Sequence, residues 1–168
     1  MDIFLIGIIS YLMGSVPFGF ILTKIFLKKD IREIGSGNIG ATNALRTGNK
    51  TIGYSTLVLD IFKAVAPVIY VKVFYQDFLY IASLCAFLGH VFPIWLKFKG
   101  GKGVATYVGI LFAINIYFGI IFTIFWFMTF FISKYSSLSS LVATKDDNEE
   151  YLEMKKVINQ KIVKIIPK

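Results

Sequence analysis

Two short stretches combine glycine with cations and small polar side chains. The first is Gly35-Ser36-Gly37-Asn38-Ile39-Gly40-Ala41-Thr42-Asn43, with Arg46 just beyond; the second is Lys97-Phe98-Lys99-Gly100-Gly101-Lys102-Gly103. Glycine lets the backbone approach a ligand closely and adopt conformations that turn several N–H groups toward one anion. Ser36, Asn38, Thr42 and Asn43 add neutral donors, and Arg46, Lys99 and Lys102 add full charges, a set suited to phosphate oxygens. The second stretch runs directly into an apolar segment at Val104. A helix opening there would offer free N–H groups and the positive end of its dipole to a phosphate. Two such cradles in an otherwise apolar chain predict the handling of two phosphate-bearing molecules, at least one of them lipid-like.

Plainer assignments of the same residues have to be weighed. Gly35-x-Gly37-x-x-Gly40 matches the dinucleotide fingerprint in form, and Asp60 follows about 20 residues later, but no strand precedes the glycines and Asp60 falls inside an apolar run. A Walker A loop is excluded because Ala41 stands where that loop requires Lys. A simple turn would not account for the crowd of donors around the first glycines, and a basic patch for lipid headgroups would not need the glycines of the second. Asp60 and Lys63, three apart on one helical face within an apolar run, read as a structural ion pair. For His90, in Gly89-His90-Val91-Phe92-Pro93, a hydrogen-bonded structural role is favoured over that of a general base. The one His and the single Cys85 cannot by themselves make a zinc site, and no intramolecular disulfide is possible.

The elements that must carry these loops are membrane-spanning helices. The chain has 168 residues, 56% of them hydrophobic and 17 of them Phe, mostly in long uncharged runs. That composition indicates a polytopic all-α membrane protein and argues against the alternating short strands of a β-barrel. A net charge of +8 could suggest nucleic acid, but the basic residues cluster beside apolar spans, so anionic substrates and the membrane surface are the expected partners. Residues 3–26 make a first span of roughly 36 Å as a helix, interrupted by Gly14, Pro17 and Gly19. No Lys or Arg precedes that span, so it is expected to be retained rather than cleaved as a signal peptide. Residues 52–74 and 78–95 form the second and third spans. Residues 104–132 divide at Asn115 into two short segments joined by a tight turn, giving about five.

Charge asymmetry sets the expected orientation. Lys28, Lys29, Arg32, Arg46, Lys50, Lys97, Lys99, Lys102 and Lys134 fall on one side, and Asp2, Lys72 and Asp77 on the other. The basic side is the cytoplasm and the N-terminus is outside. Both glycine loops and the polar residues 133–140 then face one compartment and can build one site. Residues 1–142 form the membrane domain. Residues 143–168 form a charged tail or amphipathic surface helix, with Tyr151, Met154, Ile158, Ile162 and Ile165 at helical spacing.

These residues resemble a family. The first loop with Arg46, the run from Gly89-His90-Val91-Phe92-Pro93 through Gly103-Val104-Ala105-Thr106, the stretch Gly14-Ser15-Val16-Pro17-Phe18-Gly19 and Lys134-Tyr135-Ser136-Ser137-Leu138 closely resemble the bacterial acyl-phosphate glycerol-3-phosphate acyltransferases (PlsY), over roughly residues 1–142. The resemblance implies transfer of an acyl group from acyl phosphate to glycerol-3-phosphate in the bacterial inner membrane, giving lysophosphatidic acid. No cofactor, metal or nucleic acid is implied, and the enzyme that produces acyl phosphate is an implied partner. By the same resemblance Ser36, Arg46 and Lys102 are the catalytic residues. Gly35, Gly37, Asn38, Gly40, Thr42, Asn43, Lys99, Gly100, Gly101, Gly103 and Ser137 would bind the substrates. Family members continue with two more spans and a third motif bearing a His and an Asn. Here the chain turns hydrophilic after Val142, the pattern expected of a truncated or frameshifted member. The rival from another class is a non-catalytic remnant or small anion-binding membrane protein. A transporter would carry charges through several spans, whereas only Asp60 and Lys63 occur in this one.

Overall fold

Pro17 has no N–H to donate and restricts Val16 before it, so the first apolar run cannot continue as one helix. The computed structural model describes residues 2–133. In it the run divides into α1 (Ile3–Gly14) and α2 (Phe18–Leu27). The expected span over 3–26 remains long and apolar enough to cross a membrane but is built from two helices, with hydrogen bonds gathered at the break. The Ser15 N–H donates to the Tyr11 carbonyl at 2.8 Å, and Trp95 Nε1 donates to Ser15 Oγ at 2.8 Å. Lys63 Nζ donates to the Val16 carbonyl.

After the first glycine loop comes the short α3 (Ala41–Leu45), then α4 (Lys50–Phe74). Asn49 caps α4 by accepting the Ile52 N–H at 3.1 Å. The 25 residues of α4 reach about 37 Å, enough to cross a bilayer. A single 3-10 turn leads into α5 (Leu79–Val91), and the second glycine loop then enters α6 (Val104–Ile114). Asn115 is extended, and α7 (Ile116–Ser133) folds back, setting the Tyr107 and Phe122 rings 5.1 Å apart. The predicted division at Asn115 is observed. Lys72 Nζ donates to the carbonyls of Ala113 and Ile114, 2.9 Å each, covering acceptors that the end of α6 leaves open.

Small residues let the helices approach closely, as packing inside a bilayer favours. A Cβ on Gly14 would fall on the Ala86 carbonyl and one on Gly89 against Ser15, while Gly7 lies by Ile81, so α1 and α5 run side by side in the same direction. Gly109 of α6 fits against Ile61 and Val65 of α4. Ala64, Val68, Leu79, Ala86 and Ile110 fill the space between helices. Phe4, Val58, Tyr80 and Phe125 point outward and are exposed, an apolar exterior matching a hydrocarbon solvent. Two segments, Ile3–Leu27 and Gln76–Leu96, are long and apolar enough to cross a membrane. The molecule is all-helical among its described residues. Residues 134–168, with Ser137, Lys134 and the predicted tail helix, lie outside them.

Candidate active site

The first loop is built around one amide. Asn43 is 1% exposed and uses both ends of its side chain on the backbone. Its Oδ1 accepts the Ser36 N–H at 3.0 Å, while Nδ2 faces the carbonyls of Ile31, Ile34 and Asn38 at 2.8–2.9 Å. Asn38 Oδ1 accepts the Gly40 N–H at 2.8 Å. Gly35 and Gly37 take φ of +53° and +70°, conformations that cost other residues strain. A Cβ on Gly35 would press on Asn43 Oδ1 and the Arg46 side chain, so Arg46 lies directly against this turn. Beneath it Ile31, Ile39, Ala44, Ile52 and Leu96 form a buried cluster that joins the base of both loops.

The second loop is held by carbonyls at the end of α5. The Gly100 N–H donates to Val91 and the Gly101 N–H to His90, both at 3.1 Å. These two N–H groups are spent inside the protein, so the loop's donors toward an anion must come from its cations and from the start of α6. Gly103, at φ +78°, sits under the Phe87 ring. Lys97 and Phe98 also have positive φ, +53° and +62°, a conformation uncommon without glycine and costly for an aromatic residue. The Phe98 N–H to Pro93 carbonyl bond, 3.0 Å, helps to hold that turn.

Between the loops lies an open cavity of about 520 Å³. Ser36, Gly37 and Asn38 line one side, and Lys99 and Gly100 another, so the two glycine loops meet as predicted. Asp30, Arg32 and Glu33 complete the lining and were not anticipated as site residues. Their signal was available as an alternating charged run directly before the glycines. Arg32 grips Asp30 through Nε and Nη2, the shortest contact being 2.6 Å, and stacks over the Phe20 ring at 4.9 Å. That guanidinium holds the Asp30 carboxyl down at about 2, so the pair stays charged through the physiological range.

The remaining expected residues fall around this cavity. Arg46 and Lys102 are exposed but do not line it. Gly40 precedes α3, and Thr42 lies half-buried within it. Asn43 is turned away from the cavity, shaping the loop instead of presenting its amide to a ligand. Gly101 and Gly103 are buried against His90 and Phe87. His90 itself is 4% exposed, and its Nδ1 lacks a hydrogen-bond partner, contrary to the hydrogen-bonded role expected of it. Asp60 Oδ1 lies 3.8 Å from that nitrogen. The expected ion pair is present, with Lys63 Nζ 2.8 Å from Asp60 Oδ1.

A family model of glycerol-3-phosphate acyltransferases matches residues 4–145. The chain belongs to this family. A glycerol-3-phosphate acyltransferase of Pelagibacter ubique (strain HTCC1062) is 75% identical over 144 residues, covering 86% of this chain and 75% of the relative. One from Bartonella henselae is 52% identical, covering 83% and 68%. The solved structure of PlsY (YgiH), an integral membrane glycerol 3-phosphate acyltransferase in its glycerol 3-phosphate form, superposes with a TM-score of 0.72 at 38% identity. That match covers 84% of this chain and 72% of the other. A second match is the same enzyme in a lysophosphatidic acid form, with a TM-score of 0.69. Both glycine loops of this glycerol-3-phosphate acyltransferase lie within the matched family region, residues 4–145.

Proposed function

We propose that this protein transfers a fatty acyl group from acyl phosphate to glycerol-3-phosphate, giving lysophosphatidic acid. The observation that carries the reading is the convergence of two glycine-rich loops on one polar cavity at the end of a bundle with an apolar exterior. An acyl phosphate is a mixed anhydride and arrives already activated. A glycerol-3-phosphate hydroxyl oxygen bonds to its carbonyl carbon, and the carbon–oxygen bond to phosphate breaks. Phosphate leaves with the bonding electrons, and the hydroxyl proton passes to it or to water. No enzyme nucleophile or cofactor is required. The protein's task is to bring two phosphates near each other while the acyl chain stays in lipid, and positioning alone supplies a large part of such a rate.

In this scheme Ser36 and the start of α6 donate to phosphate oxygens, with Arg46, Lys99 and Lys102 neutralising charge around them. Gly35, Gly37 and Gly103 allow the turns, and Asn38, Gly40, Thr42 and Asn43 keep the first loop in shape. Ser137 is a further candidate substrate ligand. The loops face the cytoplasm of a bacterial inner membrane, where the enzyme that makes acyl phosphate would deliver its product.

Membranes carrying the full chain, given labelled glycerol-3-phosphate and an acyl phosphate, should form lysophosphatidic acid above empty membranes, and acyl-CoA should not replace the donor. Absence of product with both donors would leave a non-catalytic anion-binding membrane protein.

A further inference from the structure

Three charged or titratable side chains are buried where the helices meet, and acyl transfer as described above uses none of them. Lys63, Asp60 and His90 are each 4% exposed. They form a line with a direction. At one end Lys63 Nζ donates to the Val16 carbonyl at the α1–α2 break. In the middle Lys63 and Asp60 pair at 2.8 Å, and Asp60 Oδ1 faces His90 Nδ1 at 3.8 Å. At the other end the imidazole edge bearing Nε2 occupies the place a Cβ on Gly101 would take, while the His90 carbonyl accepts the Gly101 N–H at 3.1 Å. Thr106 Oγ1, near the start of α6, donates to the Asp60 carbonyl at 3.3 Å.

We propose that the Lys63–Asp60–His90 line positions the second glycine loop, with His90 as the prop on which Gly100, Gly101 and Lys102 rest. An ionised pair inside a bundle is costly, and removing one partner leaves the other charge alone. The pair therefore fixes α4 against the α1–α2 break and presents one carboxylate oxygen to the imidazole. The ring is held between that oxygen and Gly101, which sets the height of the loop backbone. Gly101 has to be glycine because the ring fills the side-chain space. This arrangement of the loop stands on geometry alone; its effect on turnover rests on the acyl-transfer reading.

The test uses the full chain in detergent with trypsin, since Lys97, Lys99 and Lys102 are cleavage sites in the second loop and Arg32 and Arg46 in the first. His90→Ala should speed cleavage of the second loop by about tenfold or more and leave the first within about twofold, as a local opening requires. Adding Gly101→Ala to His90→Ala should restore protection to within about threefold, because the methyl enters the space the ring vacates and the two sites are coupled. The double variant Asp60→Asn, Lys63→Met removes both charges without stranding either, and should loosen the second loop selectively while the chain still folds. In the acyl-transfer assay His90→Ala should raise KM for a phosphate-bearing substrate about tenfold, with kcat within about threefold, the pattern of lost ground-state positioning. Equal acceleration of cleavage in both loops, or a His90→Ala, Gly101→Ala chain as open as His90→Ala alone, overturns the proposal. If the chain makes no lysophosphatidic acid at all, the acyl-transfer reading fails and the cleavage pattern still decides the role of the prop.

Discussion

Arg46 follows α3 with its side chain folded against Gly35, next to Ser36 of the cavity lining. A planar fork can bind two phosphate oxygens at once, and an ammonium cannot replace it. Arg46→Lys should cost about 1.5–3 kcal/mol of transition-state binding, a tenfold or larger fall in kcat/KM. Initial rates over a range of glycerol-3-phosphate would check this, and wild-type kinetics would remove Arg46 from the site. Ser36, Gly37, Asn38, Lys99 and Gly100, singled out by residue type, line the cavity together. The direction each side chain faces was not legible. Asn43 and Ser36 are both small and polar, yet one shapes the loop from inside and the other meets the cavity. That choice depends on which carbonyls the fold brings beneath the loop. Asp30, Arg32 and Glu33 were passed over because a charged run beside a span reads first as a topological signal.

At the scale of elements, the first loop hangs on Asn43, and an isosteric change separates shape from chemistry. Asn43→Asp keeps an acceptor for the Ser36 N–H but turns an oxygen toward the three carbonyls that Nδ2 now faces. Two N–H donors shared among three carbonyls are replaced by an oxygen that those carbonyls repel, so Asn43→Asp should destabilise the protein at least as much as Asn43→Ala, by about 1–3 kcal/mol. Thermal unfolding in detergent would rank the two; a milder effect from Asp would mean that Nδ2 contributes little. Helix positions were legible wherever a breaker stood in an apolar run: Asn115 ends α6, and α6 opens at Val104. Pro17 was read as an interruption that one span tolerates, and it divides that span into α1 and α2. At the break Lys63 donates to the Val16 carbonyl and Trp95 to the Ser15 hydroxyl, partners that lie far away in the sequence. Positive φ at Lys97 and Phe98 had no signal in the sequence, since it depends on hydrogen bonds that the loop makes to the end of α5.

For the whole molecule, a shared site requires both loops on one face of the membrane, and the cavity they line together is consistent with that. In a Cys85→Ala background, cysteine at Ser36 or Lys102 should resist an impermeant thiol reagent in intact cells and react once the membrane is opened. Cysteine at Gln76 should react from outside. Labelling of one loop alone from outside would place the cradles on opposite faces. The expected orientation rests on how Lys and Arg are distributed between loops. The short segment expected before Asn115 is present as α6, and its height can be measured. The 11 residues of α6 rise only about 16 Å, well short of a ~30 Å hydrocarbon core. Lipid around so short a helix must thin or tilt to meet it. Such hydrophobic mismatch costs fractions of a kcal/mol for each ångström. Turnover in reconstituted vesicles should accordingly fall as the acyl chains of the host phospholipid lengthen, so that membrane thickness itself acts on how readily the protein receives its substrate.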